Sequence, residues 1–226
     1  MKTQLVIFDN DGVVVDSEAL IKKALVETFA GYDVHFTKEW AFDNLQGLKP
    51  DDTFTKIQKL TDKILDKEET LAKYKVEFFE RVKTMLKTTE GLLDIVQVLE
   101  EKNIKRCIAT SGLRLETHKK YDAANLREVF PDNIIFTAEQ VENGKPAPDL
   151  FLFAAKRMGF TPENTVVIED SINGIIGAKA AGMRAIGYIG GSHAAFAGDD
   201  YADKLRAVGA DHVIKHHDEL LGVINA

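Results

Sequence analysis

The sequence is poor in cysteine, and its apolar residues never run on for long. Its 226 residues include one cysteine, Cys107, which excludes an internal disulfide and argues against a cysteine-rich zinc site. No apolar run approaches the roughly 20 residues that cross a bilayer. Residues 1–9 lack the long apolar stretch of a signal peptide. We therefore expect a cytoplasmic protein with no membrane partner.

Positive charge is also scarce relative to negative charge. Lys and Arg number 29 against 36 Asp and Glu, which gives a net charge of −7. Because a nucleic-acid footprint needs a basic face, we expect no nucleic-acid partner. Hydrophobic residues make up 45% and charged residues 29%, a composition typical of a globular chain that buries its own core. Nothing in it indicates obligate association, and we expect a monomer or a weak dimer.

Glycine is nearly absent from residues 17–87. Only Gly31 and Gly47 of the 16 glycines lie there, and basic and acidic residues are equally numerous in this stretch. Apolar residues recur at helical spacing, as in Leu71, Tyr74 and Phe78. Few helix breakers and dense mixed charge are typical of solvated amphipathic helices. The pattern predicts a helical domain over residues 17–87, inserted into a second domain formed by residues 1–16 and 88–226.

The rest of the chain alternates short apolar runs with helical patterns. The runs predict buried strands at 5–8, 104–109, 134–136, 166–168 and 185–189, with helices at 92–101, 115–124, 149–158 and 172–181. Such alternation predicts an α/β fold, a Rossmann-like parallel sheet with helices on both faces. The helical domain would interrupt this fold just after its first strand.

Six polar residues lie at the ends of four predicted strands or in the loops that follow them. In chain order they are Asp9, Asp11, Thr110, Lys145, Glu169 and Asp170. In an open parallel sheet these positions meet at the carboxyl edge, where ligands bind. Clustered carboxylates repel one another unless a cation neutralises them, and an oxygen-only ligand set favours Mg²⁺. Lysine and hydroxyl donors suit a phosphoryl group, so the pattern predicts a phosphoryl-transfer site.

The two leading aspartates suggest a division of labour. Asp9 is nearest the strand end and can act as metal ligand and nucleophile, forming an aspartyl-phosphate. Asp11 can then protonate the leaving oxygen and afterwards activate water as a general base. A receiver-type phosphoacceptor switch also gathers acidic residues, a Thr and a Lys. Its acceptor follows a central strand and it has no inserted domain, so the order of residues here disfavours it.

At these positions the sequence resembles the haloacid dehalogenase superfamily of aspartate-nucleophile phosphatases. The matches to its four motifs are Asp9-Asn10-Asp11-Gly12-Val13, Thr110, Gly144-Lys145-Pro146 and Glu169-Asp170, and Val15-Asp16-Ser17-Glu18 is the usual continuation in its β-phosphoglucomutase-like branch. Any one of these motifs alone is weak. Four in order, over essentially the whole chain, are specific.

The resemblance implies a ligand set and a division of roles. Mg²⁺ would be held by Asp9, the main-chain carbonyl of Asp11, and Asp170, with Glu169 beside it, while Thr110 and Lys145 would bind the transferring phosphoryl group. Residues 17–87 would be a mobile cap, with hinges at 88–91 and after Asp11. The substrate would be a small phosphorylated metabolite, such as a sugar or sugar-acid phosphate.

Two departures from the branch favour a phosphatase over a hexose-phosphate mutase, which remains the alternative. The mutases carry a histidine a few residues after the first motif, where this chain has Leu20-Ile21-Lys22. They also carry an arginine after a turn of the cap, where this chain has Gly47-Leu48-Lys49-Pro50. Those residues hold a sugar phosphate for return transfer, so their loss favours water as the acceptor.

Several further residues are candidates for substrate contact. In the core they are Asn10 and Ser111, and in the turn of the cap they are Gln46 and Lys49. Asn10 stands where an apolar residue is more usual, so we expect its side chain to reach solvent or the cap. His193 follows the fifth predicted strand, and we expect a surface side chain there or, as the alternative, one that faces substrate.

Overall fold

The computed structural model describes residues 2–45, 48, 50–193 and 200–224. The strands are β1 (Leu5–Phe8), β2 (Lys105–Thr110), β3 (Ile135–Thr137), β4 (Thr165–Glu169), β5 (Arg184–Tyr188) and β6 (His212–Ile214). All of them pair in parallel, in the order β3-β2-β1-β4-β5-β6. The predicted α/β fold with a Rossmann-like parallel sheet is confirmed.

Ten helices surround or precede the strands in the described part of the chain. They are α1 (Glu18–Ala30), α2 (Lys38–Leu45), α3 (Pro50–Gln58), α4 (Lys67–Met85), α5 (Leu92–Glu101), α6 (Arg114–Ala124), α7 (Asp149–Met158), α8 (Ile172–Ala180), α9 (Tyr201–Ala207) and α10 (Leu220–Ile224). None of these helices is long and apolar enough to cross a bilayer.

The sheet separates two hydrophobic layers because successive side chains of a strand point to opposite faces. In β1, Val6 and Phe8 join a buried cluster with α5, α6 and α10. Leu5 and Ile7 join a second cluster with α7, α8 and α9 on the other face. All four side chains are fully buried, which explains why this strand reads as a continuous apolar run rather than an alternating one.

The central position of β1 fixes where a ligand can bind. Its neighbours are β2 on one side and β4 on the other, so the direction of chain winding reverses at β1. Ligands of open α/β sheets bind at the carboxyl ends of the strands beside such a reversal. The loops after β1, β2 and β4 therefore form the expected site.

Helices α1 to α4, here called the helical insert, lie between β1 and α5. They pack around a buried cluster of their own, which includes Leu25, Phe29 and Ile57. The two chain connections to the insert pair with each other through an antiparallel bridge between Val15 and Thr88. The predicted helical character of this stretch is confirmed, while its independence as a domain stays a prediction.

Candidate active site

Asp9 is the first residue beyond β1, and it is nearly buried at the carboxyl edge of the sheet. Its amide donates to the carbonyl of Ile168 at 2.9 Å, which continues the pairing of β1 with β4 by one residue. This bond holds the Asp9 backbone in register with the end of β4. Asp9 therefore faces Glu169 and Asp170, as the sequence predicts.

Lys145 forms hydrogen bonds with residues of both the first and the fourth motif. Its Nζ donates to Oδ1 of Asp9 at 2.5 Å, to Oε1 of Glu169 at 2.6 Å and to the carbonyl of Ala109 at 3.0 Å. The ammonium group is nearly inaccessible to solvent. Burial would lower the pKa of Lys145, but the charges of Asp9 and Glu169 outweigh it and raise that pKa. The lysine is thus a fixed positive charge beside the predicted nucleophile.

Three carboxylates, Asp9, Glu169 and Asp170, place oxygen atoms within 4.8 Å of one another. Burial raises the pKa of Asp9 to about 7, although Lys145 opposes the shift, and burial with the nearby charge of Glu169 raises that of Asp170. One lysine therefore does not neutralise the cluster. Oxygen donors with uncompensated negative charge suit a hard divalent cation such as Mg²⁺, so the donor set fits the predicted metal.

The side chain of Asp11 has a separate set of hydrogen-bond partners from this cluster. Its carboxylate accepts hydrogen bonds from Ser17 and from Lys120 of α6, and the amide of Asn10 donates to it at 3.2 Å. Burial favours a raised pKa for Asp11, but the charge of Lys120 and these hydrogen bonds outweigh burial and lower the pKa. Sequence reasoning missed Lys120, because nothing in its local sequence marks the inward face of α6.

Asn10 differs from expectation. Its side chain is fully buried and turns toward Asp11 rather than toward solvent. The prediction that the side chain reaches solvent is therefore wrong, since a polar side chain next to a buried carboxylate gains a hydrogen bond by turning inward. The alternative that it reaches the cap stays a prediction. Its proposed contact with substrate stays a prediction.

Thr110 and Ser111 lie at the end of β2 and line a cavity with the carboxylates. The Thr110 hydroxyl accepts a hydrogen bond from the Gly112 amide at 3.0 Å, and its own proton remains available for another acceptor. Both residues lie where the sequence places them. Their predicted contacts with a phosphoryl group remain predictions.

The start of α8 holds Glu169 in place. Ser171 caps the helix by accepting from the Gly174 amide at 3.0 Å, and its own amide and hydroxyl donate to Oε2 of Glu169 at 2.8 and 2.9 Å. A Cβ atom at Gly174 would lie 1.8 Å from the Glu169 carboxyl carbon. Only glycine at this position lets the helix approach the carboxylate so closely.

The helical insert covers part of the site, over a cavity of about 110 Å³. Its side of the cavity is mainly apolar and includes Leu25, Tyr74 and Phe78. Its polar residues are Thr53 of α3 and a buried ion pair between Glu18 and Lys22 of α1. Sequence reasoning gave Lys22 no role, because a lysine on an amphipathic helix usually faces solvent.

The two cap-turn candidates, Gln46 and Lys49, lie outside the described residues. His193 is described, and its expected surface position is wrong, since the side chain is fully buried and its Nε2 lies 3.1 Å from Oδ2 of Asp170. Burial lowers the pKa of His193. The loop after β5, which carries His193, is held against the core by Asp16. The Asp16 carboxylate accepts hydrogen bonds from the Ser192 amide at 3.0 Å and from the Ser192 hydroxyl at 2.8 Å.

Similarity to known proteins agrees with this geometry. A family model described as haloacid dehalogenase-like hydrolase matches residues 6–188. A phosphorylated carbohydrates phosphatase of Thermotoga maritima is 32% identical over 187 residues, covering 81% of this chain and 83% of that protein. A fructose-1-phosphate phosphatase of Escherichia coli is 32% identical over 182 residues, covering 80% and 93% respectively.

A solved structure extends the similarity to almost the whole fold. The crystal structure of a haloacid dehalogenase-like protein of unknown function from Agrobacterium tumefaciens has a TM-score of 0.83 to this chain at 28% identity. The alignment covers 98% of this chain and 97% of that one. The similarity thus includes the helical insert as well as the sheet.

Proposed function

The chain is an enzyme that belongs to the haloacid dehalogenase-like hydrolase family, and we propose that it is a Mg²⁺-dependent phosphatase of a small phosphorylated sugar or sugar acid. The observation that carries the proposal is the position of Asp9. Its carboxylate is paired with the fixed charge of Lys145 and clusters with the carboxylates of Glu169 and Asp170, at the wall of a cavity that the helical insert covers in part.

The cation has a defined place in this proposal. Asp9, Asp170 and the main-chain carbonyl of Asp11 would hold Mg²⁺, with Glu169 beside them. When bound, Mg²⁺ would neutralise the carboxylates and stabilise negative charge on the phosphoryl oxygens. The raised pKa values of Asp9 and Asp170 support this assignment, because they indicate negative charge that the protein alone leaves uncompensated.

The chain's own residues carry the two chemical steps. A carboxylate oxygen of Asp9 attacks phosphorus, the bond from phosphorus to the substrate oxygen breaks, and that oxygen takes from Asp11 the proton that Asp11 gained from water in the preceding turnover. Asp11 then takes a proton from a water molecule, which attacks the aspartyl-phosphate. Inorganic phosphate leaves, and Asp9 is restored. Lys145 holds Asp9 in position throughout, and Thr110 and Ser111 bind the phosphoryl oxygens.

The helical insert would act as a cap over residues of the sheet domain, with 17–87 moving against 1–16 and 88–226. The cavity of about 110 Å³ is small beside typical ligand sites of ~300–1,000 Å³. Entry of a sugar-sized substrate therefore requires the cap to open, and closure would exclude water from the site. The paired connections at Val15 and Thr88 are the natural hinge.

A hexose-phosphate mutase is the alternative that this proposal has to exclude. Return transfer needs side chains that hold the phosphorylated intermediate over Asp9. Ile21 and Lys22 line the cavity in the region where the mutases carry their histidine. Ile21 is apolar, and the ammonium group of Lys22 is paired with Glu18, so neither side chain supplies the imidazole. Water then becomes the acceptor that the site can accommodate.

The test is release of inorganic phosphate from a panel of sugar phosphates and sugar-acid phosphates, with Mg²⁺ and with EDTA. We expect Mg²⁺-dependent release with a clear preference for one substrate, and no release by the Asp9→Asn variant. Isomerisation of a hexose phosphate in the presence of a bisphosphorylated hexose, without net release, would establish the mutase instead. A long-lived aspartyl-phosphate without turnover would establish the phosphoacceptor switch.

A further inference from the structure

Phe42 belongs to the helical insert but packs with the sheet. Its neighbours on α2, Ala41 and Leu45, join the insert's own buried cluster. Phe42 instead joins the cluster formed by β1, α7, α8 and α9, and it is 2% exposed. The side chain is therefore a specific contact through which α2 seats on the sheet domain.

The two rings that receive Phe42 both touch Asp170. The ring of His193 stacks on Phe42 with centroids 5.8 Å apart, and the ring of Tyr201 meets it edge-on at 5.0 Å. His193 Nε2 lies 3.1 Å from the Asp170 carboxylate. The Tyr201 hydroxyl donates to the main-chain carbonyl of Asp170 at 2.8 Å. A chain of direct contacts thus runs from the insert to a carboxylate of the acidic cluster.

The imidazole has little freedom to turn away from Asp170. Gly12 has a φ of +85°, and a Cβ atom there would lie 2.1 Å from Oδ2 of Asp170 and 2.9 Å from Cε1 of His193. The backbone of the first motif therefore lies against the His193 imidazole on one side, and Phe42 packs against it on another. Neither ring nitrogen of His193 forms a hydrogen bond within the described residues, so the 3.1 Å approach of Nε2 to Asp170 is a close polar contact that no other partner of the ring competes for.

We propose that His193 is a positioning residue for Asp170, and that Phe42 keeps it in place only while α2 is seated on the sheet. The inference depends on the proposed function, in which Asp170 binds the cation. Carboxylate ligands are held by surrounding side chains, and loss of such support weakens metal binding by about 10- to 100-fold. Seating of the cap would then strengthen Mg²⁺ binding as well as exclude water.

The test is the affinity for Mg²⁺ alone, measured by titration calorimetry without substrate. We expect His193→Ala and Phe42→Ala each to weaken Mg²⁺ binding about 10-fold or more. His193→Gln should recover part of the loss, because its amide can reach the position of Nε2. Phe36→Ala is the matched control, since Phe36 contacts Phe29 and Trp40 within the insert, and it should leave the affinity unchanged.

The outcomes separate this inference from the proposed function. Asp170→Asn tests the ligand itself, and unchanged Mg²⁺ affinity in that variant would refute its role in the proposed function. In a second outcome, Asp170→Asn loses Mg²⁺ affinity while either His193→Ala or Phe42→Ala keeps the wild-type value. That result would overturn only the positioning role of His193 and Phe42. Thermal unfolding of each variant checks folding. Phe42→Leu replaces Phe42→Ala if the latter does not fold, with weaker Mg²⁺ binding again expected.

Discussion

Lys120 pairs with the carboxylate of Asp11 from outside the four motifs. Its ammonium group is buried against the Asp11 carboxylate and lies over the ring of Phe78, 5.4 Å from the centroid. Phe78 belongs to α4 of the helical insert. The lysine therefore fixes the Asp11 carboxylate at the junction of insert and sheet, where the proton donor of the proposed reaction has to stand.

Replacing Lys120 should impair proton transfer while leaving the cation site intact. In Lys120→Met the Asp11 carboxylate loses its charged partner and its fixed orientation, and we expect kcat for phosphate release to fall about 100-fold. Mg²⁺ affinity should stay at the wild-type value, because Lys120 contacts the side-chain carboxylate of Asp11 and the ring of Phe78, whereas the proposed ligand of Asp11 is its main-chain carbonyl. Steady-state kinetics and Mg²⁺ titration give the two readouts.

Lys119→Met is the matched control for that variant. Lys119 is the preceding residue of α6, is exposed, and lies over the ring of Phe79. It should retain wild-type kcat. Equal kcat values for the two variants would contradict the role of Lys120.

At the residue scale, the sequence predicts the site residues that lie at or directly after the ends of strands. It does not predict the residues that tertiary packing brings to the site. Asp9 and Glu169 are adjacent to strand ends, so topology alone places them together. Lys120 and His193 reach the site from a helix face and from a loop. Their positions depend on how α6 and the loop after β5 pack, which no local pattern encodes.

At the element scale, the junction of β4 and α8 shows how backbone geometry holds a side chain. Glu169 ends the strand, Ser171 caps the helix, and Gly174 allows the first turn of α8 to lie against the Glu169 carboxylate. The same carboxylate accepts a hydrogen bond from Lys145. A shift of the first turn of α8 would therefore reach Asp9 through Lys145.

Gly174→Ala should reduce both activity and stability. The added methyl group has to displace the buried Glu169 carboxylate, and a displacement of about 1 Å can cost about 100-fold in rate. Alanine favours the helix by up to about 1 kcal/mol, but overpacking a buried site costs about 1–3 kcal/mol. We expect a kcat lowered at least 10-fold and a lower free energy of unfolding, measured by phosphate release and urea titration.

Gly222→Ala in α10 serves as the control, because a Cβ atom there meets nothing within 4 Å. It should show the helix-propensity gain and unchanged kcat. Wild-type kcat in Gly174→Ala would show that Glu169 tolerates displacement and would contradict its role in ordering Lys145.

Element prediction succeeds where the apolar pattern is clear and fails where polar residues interrupt it. The predicted helices at 92–101 and 149–158 coincide with α5 and α7. The edge strand β6 does not follow from the pattern, since only Val213 and Ile214 of its three residues are apolar. Its pairing with β5 is a tertiary effect that overrides weak local preference.

At the scale of the whole molecule, the C-terminal segment binds both chain connections between the helical insert and the sheet. His217 is fully buried, stacks on Tyr188 at 4.5 Å, and places Nε2 3.0 Å from the Val13 carbonyl and 2.9 Å from the Thr89 hydroxyl. Thr89 donates to the same carbonyl. One imidazole thus joins both chain connections.

This arrangement predicts a specific acid sensitivity. Burial lowers the pKa of His217 from 6.5 to about 4, against weaker opposing effects of the Val13 carbonyl and Asp218. Because the unfolded chain binds the proton more readily, stability falls as pH drops from 6.5 to 4. The loss attributable to His217 is on the order of 3 kcal/mol.

His217→Gln keeps an N–H donor without titrating, so it should flatten the stability profile between pH 7 and 4.5. Urea unfolding of both proteins at these pH values gives the difference, in which the other titrating groups cancel. Parallel pH profiles for the two proteins would contradict the assignment to His217.

The proposed reaction depends on Asp9 as the nucleophile, and a single-turnover experiment tests this role. Asp11→Asn is mixed with p-nitrophenyl phosphate, whose leaving group needs no proton, in the presence of Mg²⁺. We expect a burst of one equivalent of p-nitrophenol, with the mass of one phosphoryl group added to the peptide that contains Asp9. Turnover without a burst and without labelling of that peptide would contradict this role, since water would then attack the substrate directly.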